Sequence, residues 1–364
     1  MINIINCGVE EFKKITAQKK VVIYGAGRAL ESSYNTYFIK NRPIVIIDKN
    51  PKLIGKYYLG DNMMPKIESV EYLKKLCLYE GVDKFALFIS TPFYAAEIIE
   101  ELNQIAEIDG LSCYVHLLMR NINEGIEQYS YKKGKHIIPK RIHYIWLGNK
   151  VMPDKYKAYI EGWHKLNPDY EIIKWSEDNY NIGADDFVTE AYSMGKYSKA
   201  SNYMRLKIIY EEGGIYLDTD VELLKPLDVL LNNEAFFFMG NTDSINNGCG
   251  FGAIKQHSLI QQILQEYEGV HYSREKGGVG DKTAHSFFVK PFEDWGFRIE
   301  NRYQEIKNVV LYPKDAMSPL TFGSMPDFLS NNTLAIHHEA GSWKSKKEKE
   351  GLKKMDLLVK KLLV

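Results

Sequence analysis

The feature that most restricts the fold is the stretch "KVVIYGAGRALESSYNTYFIKNRPIVIID" (20–48). A β-branched run is followed by a glycine turn, a helical stretch and a second apolar run ending in an acid. A continuously apolar strand that passes through a glycine turn into a helix reads as strand–helix–strand, the unit of a parallel sheet covered on both faces. The same alternation continues in "KFALFIST" (84–91), "PFYAAEIIEELNQI" (92–105) and "LSCYVHLL" (111–118). Residues 1–118 therefore predict a Rossmann-like doubly wound α/β domain. Gly25 and Gly27 fit a turn that brings a phosphate to a helix N-terminus, and Asp48 lies about where a ribose-binding acid would lie. Leu30 takes the place of the third glycine, so a structural nucleotide fold competes with a live dinucleotide site.

A polar connector, "MRNINEGIEQYSYKKGKH", predicts a linker over 119–135 and a second domain over 136–345. At 364 residues the chain has room for two cores. The second domain again alternates. "IIPKRIHYIWLGN" reads as a strand ending at Gly148, "YKAYIEGWHKLNPDYEIIKWSEDNY" as a helix and a short strand, and "SKASNYMRLKIIYEEGG" as a helix. In that last helix Tyr203, Leu206, Ile209 and Tyr210 form the apolar stripe, Ser198 or Ser201 caps the start, and Gly213-Gly214 ends it.

The strand "IYLDTDV" follows at once. In an extended chain alternate side chains share a face, so Asp218 and Asp220 project together, away from Leu217, Thr219 and Val221. Two carboxylates that close repel unless a cation lies between them, and hard divalent ions such as Mg²⁺ or Mn²⁺ suit a site of carboxylates, water and substrate phosphates. The alternative is a pair of solvated acids on an edge strand.

"YSKASNYMRLKIIYEEGGIYLDTDVELLKPL" (197–227) resembles the DXD region of the bacterial and fungal glycosyltransferases grouped as family 32, related to the glucosyltransferase domains of large clostridial toxins. "IPKRIHYIWLGN" and "AIHHEAGSW" (335–343) fit the same family. The resemblance implies a GT-A fold that transfers a sugar, with retention, from a nucleotide diphosphate donor, expected to be UDP-linked. It implies that Trp146 stacks on the donor base and that Tyr216 and Arg205 touch ribose and sugar. Asp218 would hold their hydroxyls, Asp220 and His337 would ligate the metal, and Ser342 and Trp343 would lie against the diphosphate. Family members usually carry Ser-Asp where this chain has Ser201-Asn202; Asn202 keeps an acceptor but loses the charge that would balance Arg205.

The glycine-rich stretches 241–264 and 276–287 suit the acceptor side and a mobile lid, with Asn247 and Asp281 as candidates. The expected acceptor is a saccharide or lipid-linked saccharide of bacterial surface-polysaccharide synthesis. Three rivals remain. A haloacid dehalogenase-type phosphatase also uses Asp-x-Asp but wants Thr or Val where Glu222 stands. A dehydrogenase led by Gly25 and Gly27 and a lapsed transferase that only binds sugar complete the set.

Charge and composition narrow the setting. Forty-seven basic and forty-seven acidic side chains cancel, which argues against nucleic acid as a partner. Cys7, Cys77, Cys113 and Cys249 show no paired spacing, which predicts reduced thiols. No apolar run reaches the roughly 18 residues of a membrane span and no signal peptide opens the chain, so a cytoplasmic protein is expected. In 346–364, Leu352, Met355, Leu358, Val359, Leu362 and Leu363 line one helical stripe beside lysines. That helix predicts docking on its own domain or on a second subunit, with weak binding to the inner membrane face as the alternative.

Overall fold

The computed structural model describes residues 1–38, 41–119, 128–148, 150–240, 244–272, 284–320, 329–341 and 345–362. The chain forms two compact units, one drawn chiefly from Met1–Gly125 and Lys344–Val364, the other from Ile126–Leu320 and Asp327–Trp343.

The first unit is a six-stranded sheet with β1 (Asn3–Ile4), β2 (Lys20–Tyr24), β3 (Val45–Ile47), β4 (Ile67–Glu68), β5 (Phe85–Ile89) and β6 (Ser112–Val115). Every pairing is parallel and the order is β1-β6-β5-β2-β3-β4. The chain winds outward in both directions from β2, the doubly wound order expected of the α/β alternation. The helices are α1 (Val9–Thr16), α2 (Arg28–Phe38), α3 (Val70–Glu80), α4 (Ala95–Leu102) and the short α5 (His116–Met119). All five residues of β5 are buried, because both faces are covered: Leu87 and Ile89 enter one core with Val22 and Tyr24, and Ala86 and Phe88 enter the other with Val21 and Ile23.

The glycine turn after β2 forms as expected. Gly25 has φ +105°, and a Cβ there would stand 2.7 Å from Ser90 Oγ. Asp48, however, accepts the Ala26 N–H and the Asn50 N–H, each at 2.8 Å. Both carboxylate oxygens are committed to the chain's own amides.

The second unit is built on a seven-stranded mixed sheet. Its elements are β7 (Arg141–Ile145), α6 (Asp154–Leu166), β8 (Glu171–Trp175), α7 (Asp186–Ser193), α8 (Tyr197–Glu212) and β9 (Gly214–Tyr216). After these come β10 (Val221–Leu223), β11 (Ala235–Phe238), β12 (Phe251–Ala253), α9 (Ser258–Gln265), α10 (Ser286–Trp295), β13 (Gln304–Ile306), β14 (Val309–Tyr312) and β15 (Ala335–His337). The order is β13-β14-β11-β12-β9-β7-β8; β7 runs parallel to β8 and β9, while β12 is antiparallel to β9 and β11. β10 and β15 leave this sheet and pair antiparallel, Val221 opposite His337. Trp163 of α6 is fully buried and donates its indole N–H to the Val221 carbonyl at 2.9 Å, holding β10 in place.

Two details differ from the sequence reading. α8 begins at Tyr197 without a side-chain cap, and the Ser201 hydroxyl instead donates to the Ser198 carbonyl at 3.0 Å. Gly213 ends the helix as expected, with φ +66°. The strand before the aspartates stops at Tyr216, so Asp218 and Asp220 sit in a turn in which the Val221 N–H donates to the Asp218 carbonyl at 3.1 Å.

The C-terminal helix α11 (Lys346–Leu362) buries Met355 and Val359 in the core of the first unit, with Leu358 packed beside them. Gly351 permits this docking, since a Cβ there would overlap the Phe93 carbonyl. Of the apolar stripe read from the sequence, Met355, Leu358 and Val359 thus lie against the Rossmann-like unit, while Leu363 and the Leu362 side chain lie outside the described residues. No described helix is long and apolar enough to cross a membrane. All four cysteines are buried and none is joined in a disulfide among the described residues.

Candidate active site

The site forms where parallel strands end. β7 and β9 lie side by side, Ile142 against Ile215 and His143 against Tyr216, and the Leu217 N–H donates to the His143 carbonyl at 3.0 Å. Chain leaving their C-terminal ends places Trp146 and Asp218 on the same edge of the sheet, where open α/β sheets bind ligands.

Arg205, on the buried face of α8, is only 4% exposed and reaches Asp218 with Nη2 at 3.1 Å from Oδ1. The Tyr216 hydroxyl donates to the same oxygen at 2.7 Å, and the guanidinium lies over the Tyr216 ring, 4.7 Å from its centroid. Arg205 also donates to Asn247 Oδ1 at 3.4 Å and to the Ser201 hydroxyl and carbonyl. Burial raises the Asp218 carboxyl above its ordinary range against the pull of Arg205. Its other oxygen, Oδ2, faces Gly248, where a Cβ would stand only 2.5 Å away. Glycine keeps that approach open.

Asp220 is held from the other side. Its Oδ2 accepts the Ala340 N–H at 2.8 Å, and its Oδ1 lies 3.4 Å from His337 Nε2. Burial would raise this acid, but the imidazole and the amide outweigh it and hold the pKa at about 2. Burial would lower His337, and Asp220 outweighs it in turn, so the imidazole stands above its ordinary value. The β10–β15 pairing makes this meeting possible by setting His337 opposite Val221.

Asp218, Asp220 and His337 each offer a ligand atom, all within 4.8 Å of one another. Two carboxylates with one imidazole, one carboxylate oxygen left open by a glycine, fit a divalent cation of the Mn²⁺ kind.

The remaining candidates fall around this cluster. Trp146 is half-buried, donates its indole N–H to the Lys150 carbonyl at 2.8 Å and meets Tyr156 edge-on at 6.2 Å. Burial and then the charge of Asp220 raise the Tyr156 hydroxyl, which links Trp146 to the carboxylates through one ring. Asn247 is 3% exposed, and its Nδ2 has no partner among the described residues. Asn202 lies half-buried on α8, three residues before Arg205. Asp281, Ser342 and Trp343 lie outside the described residues.

Sequence reasoning missed several neighbours. Asn246 Oδ1 accepts the Gly248 and Cys249 amides at 2.9 and 3.3 Å, and its Nδ2 lies 3.3 Å from His337 Nδ1, so it backs both the glycine and the imidazole. The consecutive asparagines before Gly248 were the available signal. His338 stacks on Tyr159 at 5.0 Å and meets Glu222 at 2.8 Å, which gives Glu222 a structural use and leaves nothing of the phosphatase pattern at that position.

Residues 153–237 match the family model described as "Glycosyltransferase sugar-binding region containing DXD motif". The chain is 32% identical over 132 residues to inositol phosphoceramide mannosyltransferase 3 of Schizosaccharomyces pombe, covering 35% of this chain and 36% of that protein. It is 27% identical over 169 residues to subversion of eukaryotic traffic protein A of Legionella pneumophila, covering 38% of this chain and 26% of that one. The matched stretch therefore spans about a third of these relatives or less. Among solved structures, the PaToxG glycosyltransferase aligns with a TM-score of 0.36 at 19% identity, covering 43% of this chain and 68% of that one.

Proposed function

We propose that the chain is a metal-dependent retaining glycosyltransferase that moves a hexose from a nucleotide diphosphate sugar, UDP-linked, to a saccharide acceptor. The observation that carries this reading is the convergence of Asp218, Asp220 and His337 within 4.8 Å, the two aspartates following β9 inside the matched region and the histidine brought to them by β15. Relatives named as mannosyltransferases support a hexosyl donor.

In this reading Asp218, Asp220 and His337 hold Mn²⁺ or Mg²⁺, which when bound supplies Lewis-acid neutralisation of the departing diphosphate. Arg205 fixes Asp218 Oδ1 and leaves Oδ2 for the cation and the donor hydroxyls. Trp146 stacks on the base, and Asn247 offers its unpaired amide to the sugar. Each acid of the motif is engaged, Asp218 through Oδ1 by the Tyr216 hydroxyl and the Arg205 ion pair with Oδ2 left to the cation, Asp220 by the Ala340 amide and the His337 ion pair. Neither is placed as a free nucleophile, which favours same-face attack with the leaving phosphate as base over a covalent intermediate. Surface-polysaccharide synthesis at the cytoplasmic side of a membrane is the setting we assign.

The test is purified protein with Mn²⁺ and a panel of nucleotide sugars, read as release of nucleoside diphosphate. Metal-dependent release from one donor supports the transferase. Hydrolysis of a generic phosphate ester without such release would replace it with the phosphatase, and binding without turnover with a lapsed, sugar-binding module.

A further inference from the structure

We propose that Glu177 is a positioning residue that shapes the loop carrying Trp146 and so sets affinity for the donor base; this rests on the donor reading above. Glu177 follows β8, one strand over from the loop it would control. Its Oε1 accepts the Gly148 N–H at 2.6 Å and the Tyr192 hydroxyl at 2.9 Å. One carboxylate oxygen thus ties together the loop after β7, the turn after β8 and helix α7.

The loop needs such a tie. Gly148 has φ +80°, and a Cβ there would stand 2.6 Å from the Tyr197 ring, so the backbone is pressed against the start of α8 in a conformation that glycine tolerates. The Tyr192 and Tyr197 rings meet at 5.2 Å, which makes the partner of the carboxylate part of the wall behind the glycine. On the strand side the Trp146 N–H donates to the Trp175 carbonyl at 2.9 Å. Trp146 is therefore held at its own amide by β8 and two residues later by the Glu177 carboxylate. The burial that opposes the charge on Glu177 is outweighed by the Gly148 amide and the Tyr192 hydroxyl, so the group is held in its ionised, two-acceptor form. Among the described residues the contacts of Glu177 do not include Asp218, Asp220 or His337, so the tie acts directly on the tryptophan loop.

A donor-independent readout separates this inference from the reading it rests on. Protein labelled with 5-fluorotryptophan carries five indoles, and Trp146→Phe assigns the resonance of interest. Glu177→Ala should shift and broaden the Trp146 signal while leaving that of buried Trp163 in place, and Glu177→Gln, which keeps an acceptor for the Gly148 amide, should return it. With Mn²⁺ present, the Kd for uridine diphosphate should rise about tenfold in Glu177→Ala and under threefold in Glu177→Gln, a loss of ordering rather than of a direct contact. In a Trp146→Ala background Glu177→Ala should add nothing. An unmoved Trp146 resonance in Glu177→Ala, or an equal rise in Kd with and without Trp146, overturns the inference. Wild-type protein that binds no uridine diphosphate removes the donor reading, and the fluorine spectra still decide whether Glu177 holds the loop.

Discussion

Gly248→Ala tests the site geometry with a single methyl group. Gly248 does not need the left-handed region, so alanine meets no backbone penalty, and the effect comes from its Cβ, 2.5 Å from Asp218 Oδ2 and 3.2 Å from Asn246 Oδ1. Neither neighbour yields easily. Asp218 is braced by Arg205 at 3.1 Å and Tyr216 at 2.7 Å, and Asn246 by two backbone amides. Overpacking of this kind costs about 1–3 kcal/mol, offset by roughly 0.4–1 kcal/mol from the stiffer unfolded chain. The net expectation is a loss of about 1–2 kcal/mol, or a fall in Tm of roughly 2–8 °C for a unit of this size. The methyl also covers the oxygen left for the cation, so Mn²⁺ affinity by calorimetry should weaken about tenfold or more, an energy of at least ~1.4 kcal/mol. The paired control is Gly248→Ala in an Asp218→Ala background, where the stability penalty should shrink because the clash is gone. A Gly248→Ala protein with unchanged Tm and unchanged Mn²⁺ affinity would refute the reasoning.

Two further outcomes follow from the same geometry. Arg205→Met leaves the half-buried Asp218 carboxylate without its cationic partner and should destabilise the fold by about 1–3 kcal/mol in urea titration, with Asp218→Asn in the same chain recovering part of the loss. His143 is fully buried, lies 2.9 Å from the Gly213 carbonyl and accepts the Trp175 indole N–H at 3.1 Å; burial, against the Gly213 hydrogen bond, lowers its pKa to about 4. The unfolded chain binds a proton below about pH 6.5 that the folded chain refuses until about pH 4. Its stabilising effect is therefore complete above that window and is lost as pH falls through it, by about 3 kcal/mol in all. Stability measured between pH 7 and 4 should fall more steeply for the wild type than for His143→Gln.

Much of the architecture was readable because its signals are local. The apolar run at 21–24, the glycine turn at 25 and the acid at 48 specify the first strand–helix–strand unit within thirty residues. The helix ending at Gly213 and the carboxylates beyond it were equally plain. What escaped depends on chain segments far apart in sequence. Asp220 and His337 were paired by the family resemblance alone; what no periodicity in either strand announces is the means, the pairing of β10 with β15 outside the main sheet. Asn246 carries no local signal of its role, because its Oδ1 accepts two loop amides while its Nδ2 meets an imidazole ninety-one residues away in the chain. The turn at Asp218–Asp220 was read as strand because alternation over so few residues cannot separate the two. Met355 and Val359 showed an apolar stripe, but a stripe does not say which core will receive it.

The cation site is the central claim, and Mn²⁺ calorimetry on the wild type and Asp220→Ala, with and without uridine diphosphate, tests it most directly. The account predicts saturable binding by the wild type, strengthened by the nucleotide and abolished in Asp220→Ala. Equal binding by both proteins, or none by the wild type, would contradict it.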